Sequence, residues 1–110
     1  MGSVATSHWS QTRSCATLQA RRLDEGPTGV LELAGEADLT TIDLLTNELE
    51  RMLALHRKHI VVDVSGLSFC DSASAHLLLA ARRDGSATLT GATRSVKRVF
   101  DLMDALEVPS

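Results

Sequence analysis

Apolar positions along the chain switch repeatedly between a short period and a helical one, and the switches mark the elements. Residues 15 to 23 (CATLQARRL) alternate loosely and run into Asp24-Glu25-Gly26-Pro27-Thr28-Gly29, a dense turn cluster. Residues 30 to 34 (VLELA) follow, with Gly35 at their end. Two short runs joined by such a turn predict an antiparallel hairpin. From Asp38 the period lengthens: Ile42, Leu45, Leu49, Met52 and Leu53 recur at helical spacing, while Asp43, Glu48, Glu50 and Arg51 fall mostly on the opposite side. This predicts an amphipathic helix. Thr40 and Asp43 have capping-box spacing at its start, and His56, Arg57 and Lys58 complement the dipole at its end.

Ile60 to Val64 (IVVDV) is nearly all β-branched, the mark of a parallel strand covered by helices. A second helix starts behind Asp71 as N-cap, passes through His76, Leu78 and Leu79, and stops at Arg82-Arg83-Asp84-Gly85. Ala87 to Leu89 is a further short strand, Gly91 to Thr93 a turn, and Val96, Val99, Phe100 and Met103 line one face of a third helix. The order β-β-α-β-α-β-α predicts an α/β domain: a mixed four-stranded sheet, parallel around each internal helix, with helices mainly on one side. Residues 1 to 14 read as a flexible tail, and residues 15 to 108 as a single domain.

Composition narrows the function classes. The 110 residues carry 11 Lys+Arg and 14 Asp+Glu, for a net charge of −3, and only 3% are aromatic. A nucleic-acid binder needs a basic face and stacking rings, so that class is set aside. The longest apolar run, Leu77 to Ala81, is far too short to cross a bilayer, and the N-terminal segment lacks a signal peptide's basic start and apolar stretch. No membrane insertion and a cytoplasmic location are expected. The same segment fits the myristoylation pattern through Gly2 and Thr6, a pattern short enough to recur by chance.

Chemistry concentrates at Leu67-Ser68-Phe69-Cys70-Asp71-Ser72-Ala73-Ser74, where small hydroxyls open a helix behind a buried strand. The first-turn N–H groups of a helix have no helical acceptor, so a phosphate on Ser72 would meet free donors and the positive dipole end. It would also add about −1.5 to −2 charges beside Asp71, enough to repel a docked partner. The plain alternative is that Ser72 is only a helix-start residue.

Residues 29 to 106 resemble a STAS domain of the anti-sigma factor antagonist (anti-anti-sigma) family. Gly35-Glu36-Ala37-Asp38 resembles the family's Gly-Glu-x-Asp turn, Asp63 through Ser72 its strand and phosphoacceptor loop, and Val96-Lys97-Arg98-Val99-Phe100 its last helix. The resemblance implies a STAS-like fold and a bacterial partner-switching protein. Unphosphorylated, such a protein binds an anti-sigma factor with GHKL-type serine kinase activity and frees a sigma factor. Phosphorylation switches it off, and a serine phosphatase resets it. By the same resemblance Ser72 is the phosphoacceptor, and Gly35, Glu36, Asp38, Asp71, Ser72, Ala73 and Ser74 form the partner surface. Ser74 stands where relatives usually carry Gly, which makes it a rival acceptor.

No Ser/His/Asp set, paired carboxylates or nucleotide-binding loop stands out, so catalysis, a metal and a cofactor are not expected. Two rivals stay open. One is a STAS subunit of an ABC-type lipid transport complex, without a phosphate cycle. The other is a thiol oxidoreductase using Cys70, which lacks a second cysteine nearby. Cys70 reads as a packed residue, and a bridge to Cys15 would need the two Cα atoms within about 7 Å. His56 and His59 lack the Glu of a zincin motif, and His76 lies where it could meet a phosphate. Arg94, Lys97 and Arg98 form a basic stripe on the third helix that is either a contact or a wet face. Trp9 is an aromatic residue in the tail.

Overall fold

The computed structural model describes residues 10–15, 17–25, 28–55 and 59–106. The elements run β1 (Ser10–Cys15), β2 (Leu18–Glu25), β3 (Thr28–Ala37), α1 (Ile42–Leu55), β4 (Ile60–Cys70), α2 (Ser72–Arg83), β5 (Ala87–Thr90) and α3 (Arg94–Leu106). The strands lie in sequence order in one mixed sheet. β1 pairs with β2 and β2 with β3 antiparallel, whereas β3–β4 and β4–β5 are parallel. Each parallel pair is separated by one helix, as the β-α-β order requires.

Strand alternation decides which face is covered. Leu18 and Ala20 of β2, Leu31 and Leu33 of β3, Ile60, Val62 and Val64 of β4, and Ala87 of β5 are buried on one face. They form a single core with Leu45, Leu49 and Met52 of α1, Ala75, Leu78 and Leu79 of α2, and Val96 and Phe100 of α3. All three helices therefore cover the same side, as expected. Burying a side chain such as Leu78 contributes about 1.5–3 kcal/mol, so these layers outweigh any single surface contact.

Three expectations need correction. The sheet has five strands rather than four, because residues 10–14, read as tail, belong to β1. Its sequence SQTRSC carries no apolar alternation, and its place is set by backbone pairing with β2, from Ser10 opposite Leu23 to Cys15 opposite Leu18. Second, Glu48 is not on the wet side of α1. It is 1% exposed, and its Oε1 lies 3.1 Å from Nε of the equally enclosed Arg22 on β2. The N–H of Arg22 Nε is not aimed at that oxygen, so the contact is an ion pair without a directed hydrogen bond. Third, the residue at the start of α1 is Thr41 rather than Thr40: the Thr41 carbonyl accepts from Leu45 N–H, while Thr40 N–H donates to Asp38. Trp9, Gly2, Thr6 and His56 lie outside the described residues.

Candidate functional site

β3 and β4 run parallel and end together: Ala37 pairs with Cys70, and Asp71 N–H donates to Ala37 O at 3.0 Å. The Asp38 turn and the α2 start thus emerge side by side at the carboxyl end of the sheet, where α/β proteins place their sites. Just upstream, β3 passes close to Thr17 at Gly35. Its φ is +102°, and a Cβ there would lie 1.9 Å from Thr17 O, so only glycine fits. The next residue, Glu36, is exposed and donates its N–H to the same Thr17 oxygen at 2.9 Å. Register shifts flank this stretch, between Glu32 and Ala34 and between Gly35 and Glu36.

Asp38 folds back on its own turn. Oδ1 accepts from Thr40 N–H at 2.9 Å and Thr40 Oγ1–H at 2.6 Å, and the Thr40 hydroxyl is the main cause holding the Asp38 carboxyl below its usual pKa. Thr41, fully buried, accepts from Asp38 N–H at 3.0 Å, and its hydroxyl points at Glu36 O and Asp38 O. The turn is therefore cross-linked from within.

At α2, Asp71 is the N-cap as expected, with Oδ1 accepting from Ser74 N–H at 2.8 Å. Ser72 is the first helical residue and is exposed, and Ala73 is half-buried. Ser74 is a correction: it is fully buried, so the rival acceptor is closed to any enzyme and absent from the partner surface of the folded chain. The first turn points one side chain outward and the one two residues later inward, where the Ser74 hydroxyl packs in the core. Burial pushes the Cys70 thiol up to about 12, with the Asp71 charge adding to it, which leaves an inert thiol at neutral pH. The side chain of Cys15 lies outside the described residues.

Two contributors were missed by sequence reasoning. Leu39, next to Asp38, is 72% exposed, and Phe69, two residues before Asp71, is 49% exposed. Leu39 adds apolar area within the Asp38 turn, and Phe69 does so near the end of β4. Phe69 also lines a small cavity of about 210 Å³ with Ser68, Cys70, Ser95, Val96 and Val99. Its signal was the apolar residue left over once Leu67 and Cys70 take the inward positions. His76 is exposed on α2, and His59 instead bridges Gly85 O and Thr88 Oγ1 away from the site. Among the described residues no group of three or more His, Cys, Asp or Glu is placed to hold a metal, and no helix is long and apolar enough to cross a membrane.

The geometry has a counterpart among solved structures. The anti-sigma factor antagonist SpoIIAA in its unphosphorylated form superposes with a TM-score of 0.59 at 20% identity, over 86% of this chain and 79% of that one. No curated protein matches in sequence. A family model described as "Mlab, STAS domain" matches residues 21–107, which include the Gly35 turn, the Asp71–Ser72 helix start and all three helices. On that match, together with the shared fold, the chain belongs to the STAS-domain family.

Proposed function

We propose that this protein is an anti-sigma factor antagonist of the cytoplasm, a binding module without catalysis of its own. In its unphosphorylated form it binds an anti-sigma factor with GHKL-type serine kinase activity and so releases a sigma factor. Phosphorylation of Ser72 ends the complex, and a serine phosphatase restores it. The observation that carries this reading is the exposed Ser72 hydroxyl at the first position of α2, beside the Asp38 turn. The STAS family match and the likeness of the fold to SpoIIAA support it. The dianionic phosphate would be held by first-turn N–H groups while its charge, next to Asp71, repels an acidic or apolar partner surface. Gly35, Glu36, Asp38, Asp71 and Ala73 complete the contact, and exposed Leu39 and Phe69 supply the apolar area that an interface needs at its centre.

The same two apolar residues favour a second reading, permanent docking as the STAS subunit of an ABC-type lipid transport complex. Capture from lysate with wild type, Ser72→Ala and Ser72→Asp separates the two. In the switch, wild type and Ser72→Ala retain a GHKL-type kinase, Ser72→Asp loses it by tenfold or more, and added ATP puts phosphate on wild type only. Retention of one ATP-binding-cassette complex by all three baits, with no phosphate taken up, overturns the switch.

A further inference from the structure

α3 carries its charges against its own dipole. Arg94, Lys97 and Arg98 occupy the N-terminal half, and Asp101 and Asp104 the C-terminal half. Cations are disfavoured at a helix N-terminus and anions at a C-terminus, so an isolated helix gains nothing from this order. Part of the charge is used within the fold. Asp104 is clamped by Arg82 at 2.6 Å and Arg83 at 2.7 Å, and Lys97 meets Asp101 at 3.1 Å. Arg94 and Arg98 are exposed and make no ion pair among the described residues.

The outward face has a second regularity. Ser95, Arg98, Leu102 and Ala105 are all exposed and follow 3-4-3 spacing, so they share one outward stripe, a seam of mixed chemistry in which Leu102 is the large apolar residue. Leu102 is 55% exposed, and Leu106, beside the seam, is 76% exposed. Arg94 and Asp101 flank the seam on one side, and half-buried Val99 flanks it with Leu106 on the other.

We propose that this face binds a second copy of the same chain, α3 against α3 in antiparallel fashion about a twofold axis. Antiparallel pairing sets the basic half of each helix against the acidic half of its mate and opposes the two dipoles, which satisfies the charge order that α3 alone leaves unfavourable. With Arg98 opposite Leu102 of the mate, the arginine stem covers that leucine and the guanidinium reaches the mate's Asp101, on both sides of the axis. The proposal is independent of the Ser72 reading. A 13-residue helix is about 20 Å long, so the contact is of the small class and the dimer is weak and concentration-dependent.

The test is sedimentation of the full chain from about 5 to about 500 µM, the range where weak dimers titrate. Wild type is expected to rise from 11.8 kDa toward twice that mass. Arg98→Glu alone and Asp101→Arg alone each create two like-charge contacts in the homodimer, and each is expected to weaken association by tenfold or more. Mixed in equal amounts, the two variants regain opposite charges at both contacts and form a heterodimer at least as tight as the wild-type dimer. Leu102→Gln, at an exposed position that leaves folding intact by circular dichroism, also weakens the dimer. A wild type that stays monomeric throughout, a dimer indifferent to either charge reversal, or a mixture that fails to associate would each overturn the proposal.

Discussion

Two helix starts meet at the ends of β3 and β4. Asp38-Leu39-Thr40-Thr41 precedes α1, and Asp71-Ser72-Ala73-Ser74 opens α2. Each has an aspartate followed three residues later by a fully buried hydroxyl. Before α1 that hydroxyl is used: Thr41 holds Asp38 N–H and faces two carbonyls, and Asp38 in turn holds Thr40. At α2 the aspartate holds only the backbone of Ser74, and the buried Ser74 Oγ has no hydrogen-bond partner among the described residues. A buried hydroxyl left unpaired costs about 1–3 kcal/mol. One start is thus a braced platform, while the other carries the exposed Ser72 on a turn that is less than fully satisfied. The two starts differ in how fully their buried polar groups are satisfied, although they leave the sheet side by side.

The comparison can be broken most severely at the platform's base. Gly35→Ala forces a Cβ onto Thr17 O in a left-handed backbone, and the expected loss is on the order of 3 kcal/mol or more, read as a large fall in the urea midpoint. Gly85 also has a positive φ, +84°, but has open space around its Cα. Gly85→Ala is therefore expected to cost only about 1 kcal/mol, and equal losses at the two sites would show that the close approach is not what matters.

A smaller effect sharpens the contrast between the two buried hydroxyls. Thr41→Val orphans Asp38 N–H and is expected to cost about 1–3 kcal/mol, whereas Ser74→Ala removes an unpaired group and should leave stability within about 0.5 kcal/mol or raise it. Thermal or urea melts of the two variants side by side decide it. If Ser74→Ala is the more damaging, the assignment of braced and loose ends is reversed.

The smallest effect is the pH dependence of the platform. Folding lowers the Asp38 pKa through the Thr40 hydroxyl, so its contribution is present above the ordinary value of 3.8 and is lost as pH falls below it. The stability gap between wild type and Asp38→Asn is expected to narrow on acidification from about pH 5 to about pH 2, as urea midpoints will show. A gap that stays constant across that interval would mean the carboxylate charge contributes nothing to the turn.

Much of this was legible from local signals. The 3.6-residue recurrence in α1 and α3, the β-branched start of β4, the Asp71 cap and the Gly85 stop each follow from a few neighbouring residues, and each stands in the structure. The errors share a cause. β1 is polar and is held by pairing to a distant strand, so it has no period of its own. Glu48 looks like a surface charge until Arg22 arrives from β2 to meet it, a contact between two buried side chains far apart in the chain. Ser74 and Ser72 are the same residue type two positions apart, and nothing in their identity tells which is reachable.

What the sequence determined by itself is therefore β2 to β5 and the three helices, their order, the parallel crossovers and the Asp71 cap, because these depend on spacing along the chain. Tertiary structure decided which of those residues are presented. It closed Ser74 and opened Ser72, joined Arg22 to Glu48, and left Leu39, Phe69 and Leu102 exposed. The reason is that exposure belongs to the packed assembly: a side chain is outside only if no other element, often far away in the chain, lies over it.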